Sequence, residues 1–302
     1  MTQKKRNLTS RLIEIGMIFL VRAVFALERI LGIRFSSAAG GFLAETFSPL
    51  LSANRIALEN LRLVYPEKSD RERRQIAKGA WNNLGRVGAE YALLNRLGAI
   101  RPETQSGMYC DVTGAEHLRA VQEQGKPVIF FSAHLANWEL CSVIACQFKL
   151  DMTSIFREPN DPVIARIVHE IRSQTMGPLQ PARSGAASKM IRLLENGHHM
   201  GILIDQHLTK GILVDFMGQK ARANPVVAKL ARKFESPVLG VRCIRLPENR
   251  FRIDITPPME FERDAKGLID IESATQHMTA LIESWIQEYP EQWLWMHRRW
   301  RV

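Results

Sequence analysis

Cysteine is scarce in this chain: four residues in 302, Cys110, Cys141, Cys146 and Cys243, none in Cys-x-x-Cys spacing. That excludes a disulfide-stapled secreted scaffold and a zinc ribbon, and suits reduced thiols packed in a core on the cytosolic side. No His-Glu-x-x-His helix is present, which speaks against a zinc enzyme, and no metal or cofactor is expected. A glycine-rich phosphate loop and a Gly-x-Ser-x-Gly nucleophile elbow are likewise missing. Helix-turn-helix, zinc-finger and RNP-type signatures are absent too, so nucleic acid is not an expected partner. Yet the 41 Lys and Arg outnumber 31 Asp and Glu, a net charge of +10. Such a balance favours anionic partners: an acidic lipid surface, a phosphorylated substrate or an acidic carrier protein.

A clean long hydrophobic run is also lacking. Residues 12–33 are apolar on average, but Glu14, Arg22, Glu28 and Arg29 interrupt them and Lys4, Lys5 and Arg6 precede them. With no small-residue cleavage site, this is no signal peptide. On a helix, Arg11, Arg22 and Arg29 share one bearing, opposite a wide apolar face carrying Phe19, Leu20, Ala23, Val24 and Leu27. The expectation is an anchor over residues 1–33 that lies in a membrane interface. A single tilted span, or a helix packed on the protein's own core, would give the same pattern.

What is abundant is alternation. Helical periodicity covers 54–64 and 69–94, with Ser69 and Glu72 forming a capping signal. Strands are expected at 128–131, 152–156, 200–204, 238–245 and 250–256, and helices at 137–148, 161–174, 185–196, 224–234 and 271–289. This order predicts an α/β fold: a mostly parallel, mixed sheet with helices on both faces and functional loops beyond the strand carboxyl ends. After the anchor, residues 34–302 form one domain, with a helical lead-in over 34–100 and an α/β core over 101–302. His134 follows the first strong strand, Arg157 the second, and Asp205 with Gln206 the third, so all are expected at one cleft.

The hexapeptide His134-Leu-Ala-Asn-Trp-Glu139 carries the chemistry. A histidine and a carboxylate five positions apart across a strand-to-helix turn can face each other, the carboxylate fixing the imidazole tautomer while the ring takes a proton. A helix-capping histidine with a glutamate in the first turn gives the same spacing. Ser132 would point away from His134 in a strand. The nucleophile is therefore expected from the substrate. Asn137 orients a substrate or caps the helix; Arg157 is a candidate for gripping a phosphate or a developing oxyanion, or for a surface ion pair. Arg298, Arg299 and Arg301, interleaved with Trp293, Trp295 and Trp300, suit an anionic lipid head or packing of the rings on the sheet.

Taken together, Tyr65-Pro-Glu67, His134-Leu-Ala-Asn-Trp-Glu139, Phe156-Arg157, Gly201-Ile-Leu-Ile-Asp205-Gln206, Phe216-Met-Gly218 and Pro290-Glu-Gln-Trp-Leu-Trp-Met-His-Arg-Arg-Trp300 resemble the lipid A biosynthesis acyltransferases, the lauroyl and myristoyl transferase class. The resemblance spans most of the chain, and the last motif is its most specific mark. It implies a glycerolipid-acyltransferase-like core in which His134 is the general base and Glu139 orients it. The donor would be an acyl carrier protein thioester and the acceptor a hydroxyl of a Kdo-bearing lipid A precursor, with Asn137, Arg157, Asp205 and Gln206 near the substrates. A related transferase for another membrane glycolipid or aminolipid, and a non-enzymatic protein binding anionic lipid or nucleic acid, are the alternatives. Two positions depart from the family pattern: Ala136 stands where glycine is common, and Asn224-Pro225 where a threonine-rich segment is common.

Overall fold

The computed structural model describes residues 23, 25–28, 30–158, 161–182 and 185–301. The described chain opens with helices α1 (Ile33–Phe47), α2 (Ser52–Val64), α3 (Asp70–Glu90) and α4 (Leu94–Leu97). The alternating part follows: β1 (Cys110–Thr113), α5 (Ala115–Glu123), β2 (Ile129–Ser132), α6 (Glu139–Gln147), β3 (Met152–Phe156), α7 (Pro162–Thr175), β4 (Leu179–Pro181), α8 (Ala186–Glu195) and β5 (His199–Leu203). Then come the hairpin β6 (Ile212–Phe216) and β7 (Gln219–Ala223), α9 (Val226–Phe234), β8 (Val238–Leu246), β9 (Arg250–Ile255) and α10 (Ile271–Glu288).

The main sheet has the order β1-β9-β8-β2-β5-β3-β4. All its pairings are parallel except β8 with β9, which is the mixed, mostly parallel sheet expected. Crossover helices cover both faces. Strand β2 shows why: Ile129 and Phe131 enter one core with Met200, Val238, Ile282 and Trp285, whereas Phe130 enters the other with Leu140, Val143, Leu239 and Ile253. Period-two alternation inside a wholly buried strand feeds both layers.

The hairpin was not expected from the sequence. Its strands are joined by Met217 (φ 55°) and Gly218 (φ 71°), a two-residue turn with both residues left-handed. At the head of α3, Ser69 and Glu72 form the expected capping box. Helix α1 crosses α3 so closely that a Cβ on Gly85 would lie 2.2 Å from the Gly40 carbonyl oxygen, so only glycine fits there.

The expected anchor over residues 1–33 lies largely outside the described residues. Among those residues, no helix is long and apolar enough to cross a membrane. What the structure does expose is an apolar surface on α1 and the turn after it, with Phe42 65% and Leu50 80% exposed beside Phe35, Leu43 and Phe47.

Candidate active site

Strand β2 ends at Ser132, and the segment Ala133–Trp138 turns the chain into α6. The turn is pinned from outside. Ala136 N–H donates to the Gln292 carbonyl (2.9 Å), Leu294 N–H donates to the His134 carbonyl (3.2 Å), and Asn83 Nδ2 donates to the Ala136 and Gln292 carbonyls (3.0 and 3.1 Å). Ala136 itself has φ 49°. A left-handed alanine costs conformational energy that glycine avoids.

Beneath the turn sits a buried ion pair. Glu90 is fully buried and accepts both Nη1 and Nη2 of Arg245 (2.6 and 3.0 Å), the Ser37 hydroxyl (2.6 Å) and Asn137 Nδ2 (2.8 Å). Asn137 is fully buried; its Nδ2 ties the turn to α3, and its Oδ1 has no partner among the described residues.

His134 does not pair with Glu139. Its Nδ1 lies 2.8 Å from Asp205 Oδ1, and its backbone N–H donates to Asp205 Oδ2 (2.9 Å). Strands β2 and β5 are parallel neighbours, with Ser132 beside Leu203, so residues two positions past each strand end meet. Asp205 also accepts the Trp293 indole N–H (2.8 Å). Burial alone would raise the Asp205 pKa, but the His134 ring and the three hydrogen bonds bring it down to about 2. An ionised Asp205 requires Nδ1 to carry a proton, so in the neutral ring Nε2 holds the lone pair. Gln206 Nε2 stands 3.4 Å from that nitrogen, and the Trp138 ring meets the imidazole edge-on at 5.1 Å. Asp205 thus contacts the His134 ring directly, where the sequence suggested a supporting or substrate contact.

Glu139, the first residue of α6, is taken up by other donors. Its oxygens accept Trp138 Nε1 (3.0 Å), Arg172 Nε (3.0 Å), Arg172 Nη2 and the Tyr91 hydroxyl. Burial lowers the Arg172 pKa, but the Glu139 carboxylate outweighs that and holds it above its ordinary value. Burial and the same carboxylate push Tyr91 well up, so it remains a phenol donor. Sequence reasoning missed both. Tyr91 follows α3 and Arg172 sits in the last turn of an ordinary amphipathic helix, so neither carries a motif. Arg157, the sequence candidate, is exposed just beyond β3; Arg172 occupies the buried position at the site instead.

Glu139, Arg172 and Trp138 also line a cavity that runs under α6 and across the sheet. The cavity is walled by Phe130, Met152, Phe156, Leu203, Val241 and Ile255, among others. The walls are mostly apolar, with Ser132, Ser142, Ser154, Glu139 and Arg172 as the polar exceptions. Ser132 Oγ faces Cys141 Sγ across 3.9 Å here, away from His134 as expected, and burial pushes the Cys141 thiol up to about 12. A thiolate mechanism at Cys141 has no support. The site therefore sets an Asp205-bound imidazole against Trp138, which walls a mostly apolar slot with Arg172 at its polar part.

The chain matches the family model described as bacterial lipid A biosynthesis acyltransferase over residues 3–302. It is similar to the lipid A biosynthesis lauroyltransferase of Escherichia coli (strain K12), 25% identical over 258 residues, covering 82% of this chain and 79% of that one. The palmitoleoyltransferase of the same organism is 24% identical over 282 residues, covering 90% and 84%. Its myristoyltransferase is 24% identical over 248 residues, covering 81% and 74%.

Proposed function

The chain belongs to the bacterial lipid A biosynthesis acyltransferase family, and from that premise we propose that it moves a fatty acyl chain from an acyl carrier protein thioester to a hydroxyl of a Kdo-bearing lipid A precursor. The observation that carries the chemistry is His134, whose Nδ1 is held by Asp205 so that Nε2 is the basic nitrogen, and whose ring packs on Trp138, a wall of the apolar slot.

In this reading the acyl chain lies in the slot, where each buried methylene contributes about 0.8 kcal/mol. The acceptor hydroxyl gives its proton to Nε2 as its oxygen attacks the thioester carbonyl carbon. Asp205 stabilises the imidazolium that forms. The tetrahedral intermediate carries its negative charge near Arg172, whose Nη1 has no partner among the described residues and whose other nitrogens Glu139 and Tyr91 hold in place. Collapse breaks the carbon–sulfur bond, and the carrier's thiolate leaves, taking the proton from the imidazolium. The four donors on Glu139 make it the residue that positions Arg172.

The same reading puts the protein on the cytoplasmic face of the inner membrane. The exposed aromatic and leucine side chains of α1 and the turn after it support contact with lipid, as does the excess of basic residues.

The test is mass spectrometry of a purified Kdo-bearing tetraacyl precursor incubated with the full chain and a panel of acyl carrier protein thioesters, with His134→Ala in parallel. One added acyl mass, absent in the variant, is expected. No mass shift with any thioester, while another membrane glycolipid or aminolipid is acylated, would move the acceptor assignment to that lipid.

A further inference from the structure

Many arginines of this protein sit on a carboxylate, Arg172, Arg242, Arg245 and Arg298 among them. Arg222, Arg299 and Arg301 have no carboxylate ion pair among the described residues; all three lie within electrostatic reach of His207, and Arg299 of Asp205 as well.

Arg299 is the telling member, because it is only 1% exposed. Its guanidinium lies over the Phe216 ring at 4.8 Å, Nη1 donates to the Arg222 carbonyl (2.7 Å), and Nε has no partner. Arg222 is in turn fixed by Nη1 donating to the Gly211 carbonyl (3.1 Å). Two histidines complete the cluster, and the Nδ1 atoms of both His207 and His297 are buried without a partner. Burial lowers the His207 pKa, with Arg299, Arg301 and Arg222 adding to the effect. Burial takes His297 down to about 4, and His134, Arg299 and His207 press in the same direction against Asp205. Asp205 attracts Arg299 across the cluster, but no hydrogen bond joins the two, and the Asp205 oxygens already accept from His134 and Trp293.

A buried arginine without an anion and orphaned ring nitrogens are costly unless something supplies acceptors. We propose that the pocket formed by Arg222, Arg299, Arg301, His207 and His297 seats a phosphate monoester of the acceptor lipid, holding the attacking hydroxyl at His134. Its position beside the base favours the acceptor as the source. The phosphodiester of a carrier-protein thioester lies at the far end of the pantetheine arm, remote from the reacting carbon. A planar guanidinium fork and imidazole N–H groups are the donors a phosphate takes.

The proposal rests on the transfer reaction above only for the identity of the acceptor, so the decisive measurement is binding, which needs no turnover. The full chain in detergent micelles is titrated with the Kdo-bearing tetraacyl precursor and with the same lipid after phosphatase treatment, and Kd is read by tryptophan fluorescence. Wild type should bind the phosphorylated lipid about tenfold or more tightly than the dephosphorylated one. Arg301→Gln and His207→Gln, both at partly or fully exposed positions, should remove most of that difference while leaving the Tm unchanged. Inorganic phosphate is the second probe: competition at low millimolar concentration in wild type, weakened in Arg301→Gln, supports the site. Equal affinity for the two lipids, or a preference untouched in both variants, overturns it. Phosphate-dependent binding with no acyl transfer would sustain this pocket while refuting the reaction.

Discussion

Asp205 Oδ1 lies 2.8 Å from His134 Nδ1, and that contact, between the tips of two neighbouring parallel strands, fixes which nitrogen of the ring can act as a base. Asp205→Asn keeps the shape and removes the charge. An amide can accept from Nδ1–H through its oxygen or donate to an unprotonated Nδ1 through its NH2, so the tautomer is no longer imposed. The expected loss in kcat is about a thousandfold or more, measured by acyl transfer with the thioester saturating.

The same contact sets an acid limit. Asp205 has a native pKa of about 2 against an ordinary 3.8. A depressed carboxylate stabilises the fold fully above its unfolded value, and that contribution fades as pH falls from 3.8 toward 2. Chemical denaturation of wild type and Asp205→Asn should therefore give stabilities that differ most above pH 4 and converge in that acid window.

Because His134 and Asp205 act as one unit, His134→Ala with Asp205→Asn should cost scarcely more than His134→Ala alone. His134→Ala with Glu139→Gln should behave differently. Glu139 holds Arg172, and breaking one partner of a buried ion pair costs about 3–5 kcal/mol of stability. A double-mutant cycle on kcat/KM, with thermal melts alongside, separates the two carboxylates.

Gly201 lines the apolar slot, where an added Cβ would meet Met152 Sδ at 3.0 Å. Gly201→Val should narrow the slot and shift preference toward shorter acyl chains. At about 0.8 kcal/mol per methylene, a loss of two carbons' worth of burial is roughly a tenfold change in kcat/KM between adjacent even-numbered donors. Competition between decanoyl, lauroyl and myristoyl thioesters in one tube reads this directly.

Phe42→Ser combined with Leu50→Ser removes two of the most exposed apolar side chains on and beside α1. Partition onto anionic vesicles should fall by about tenfold or more, with the Tm unchanged. Deletion of residues 1–33 should reduce membrane recovery further, as measured by flotation.

Much of this architecture could be read from residue order. Alternating apolar runs and helical periods gave the mostly parallel sheet, and the position of His134 after a buried strand placed it at the functional edge. Glu139 was the nearer carboxylate in sequence, however, and proximity along the chain misdirected the pairing. Which strand lies beside β2 is a property of the assembled sheet, so a partner 71 positions away could be flagged as a polar strand end but not matched to its histidine. Arg172 and Tyr91 left no trace because a buried ion pair borrowed from two helices looks, in sequence, like ordinary amphipathic surface. The β6–β7 hairpin escaped because Met217-Gly218 is not one of the common turn pairs.

The backbone of the His134 turn is stitched to residues 292–294, through Ala136 N–H to the Gln292 carbonyl, Leu294 N–H to the His134 carbonyl, and the Leu135–Trp293 bridge. A chain lacking residues 292–294 would keep the strand end that carries His134 yet lose the backbone partners that shape the turn and the indole that donates to Asp205. On the proposed mechanism, the catalytic turn is finished only when the segment around Trp293 docks.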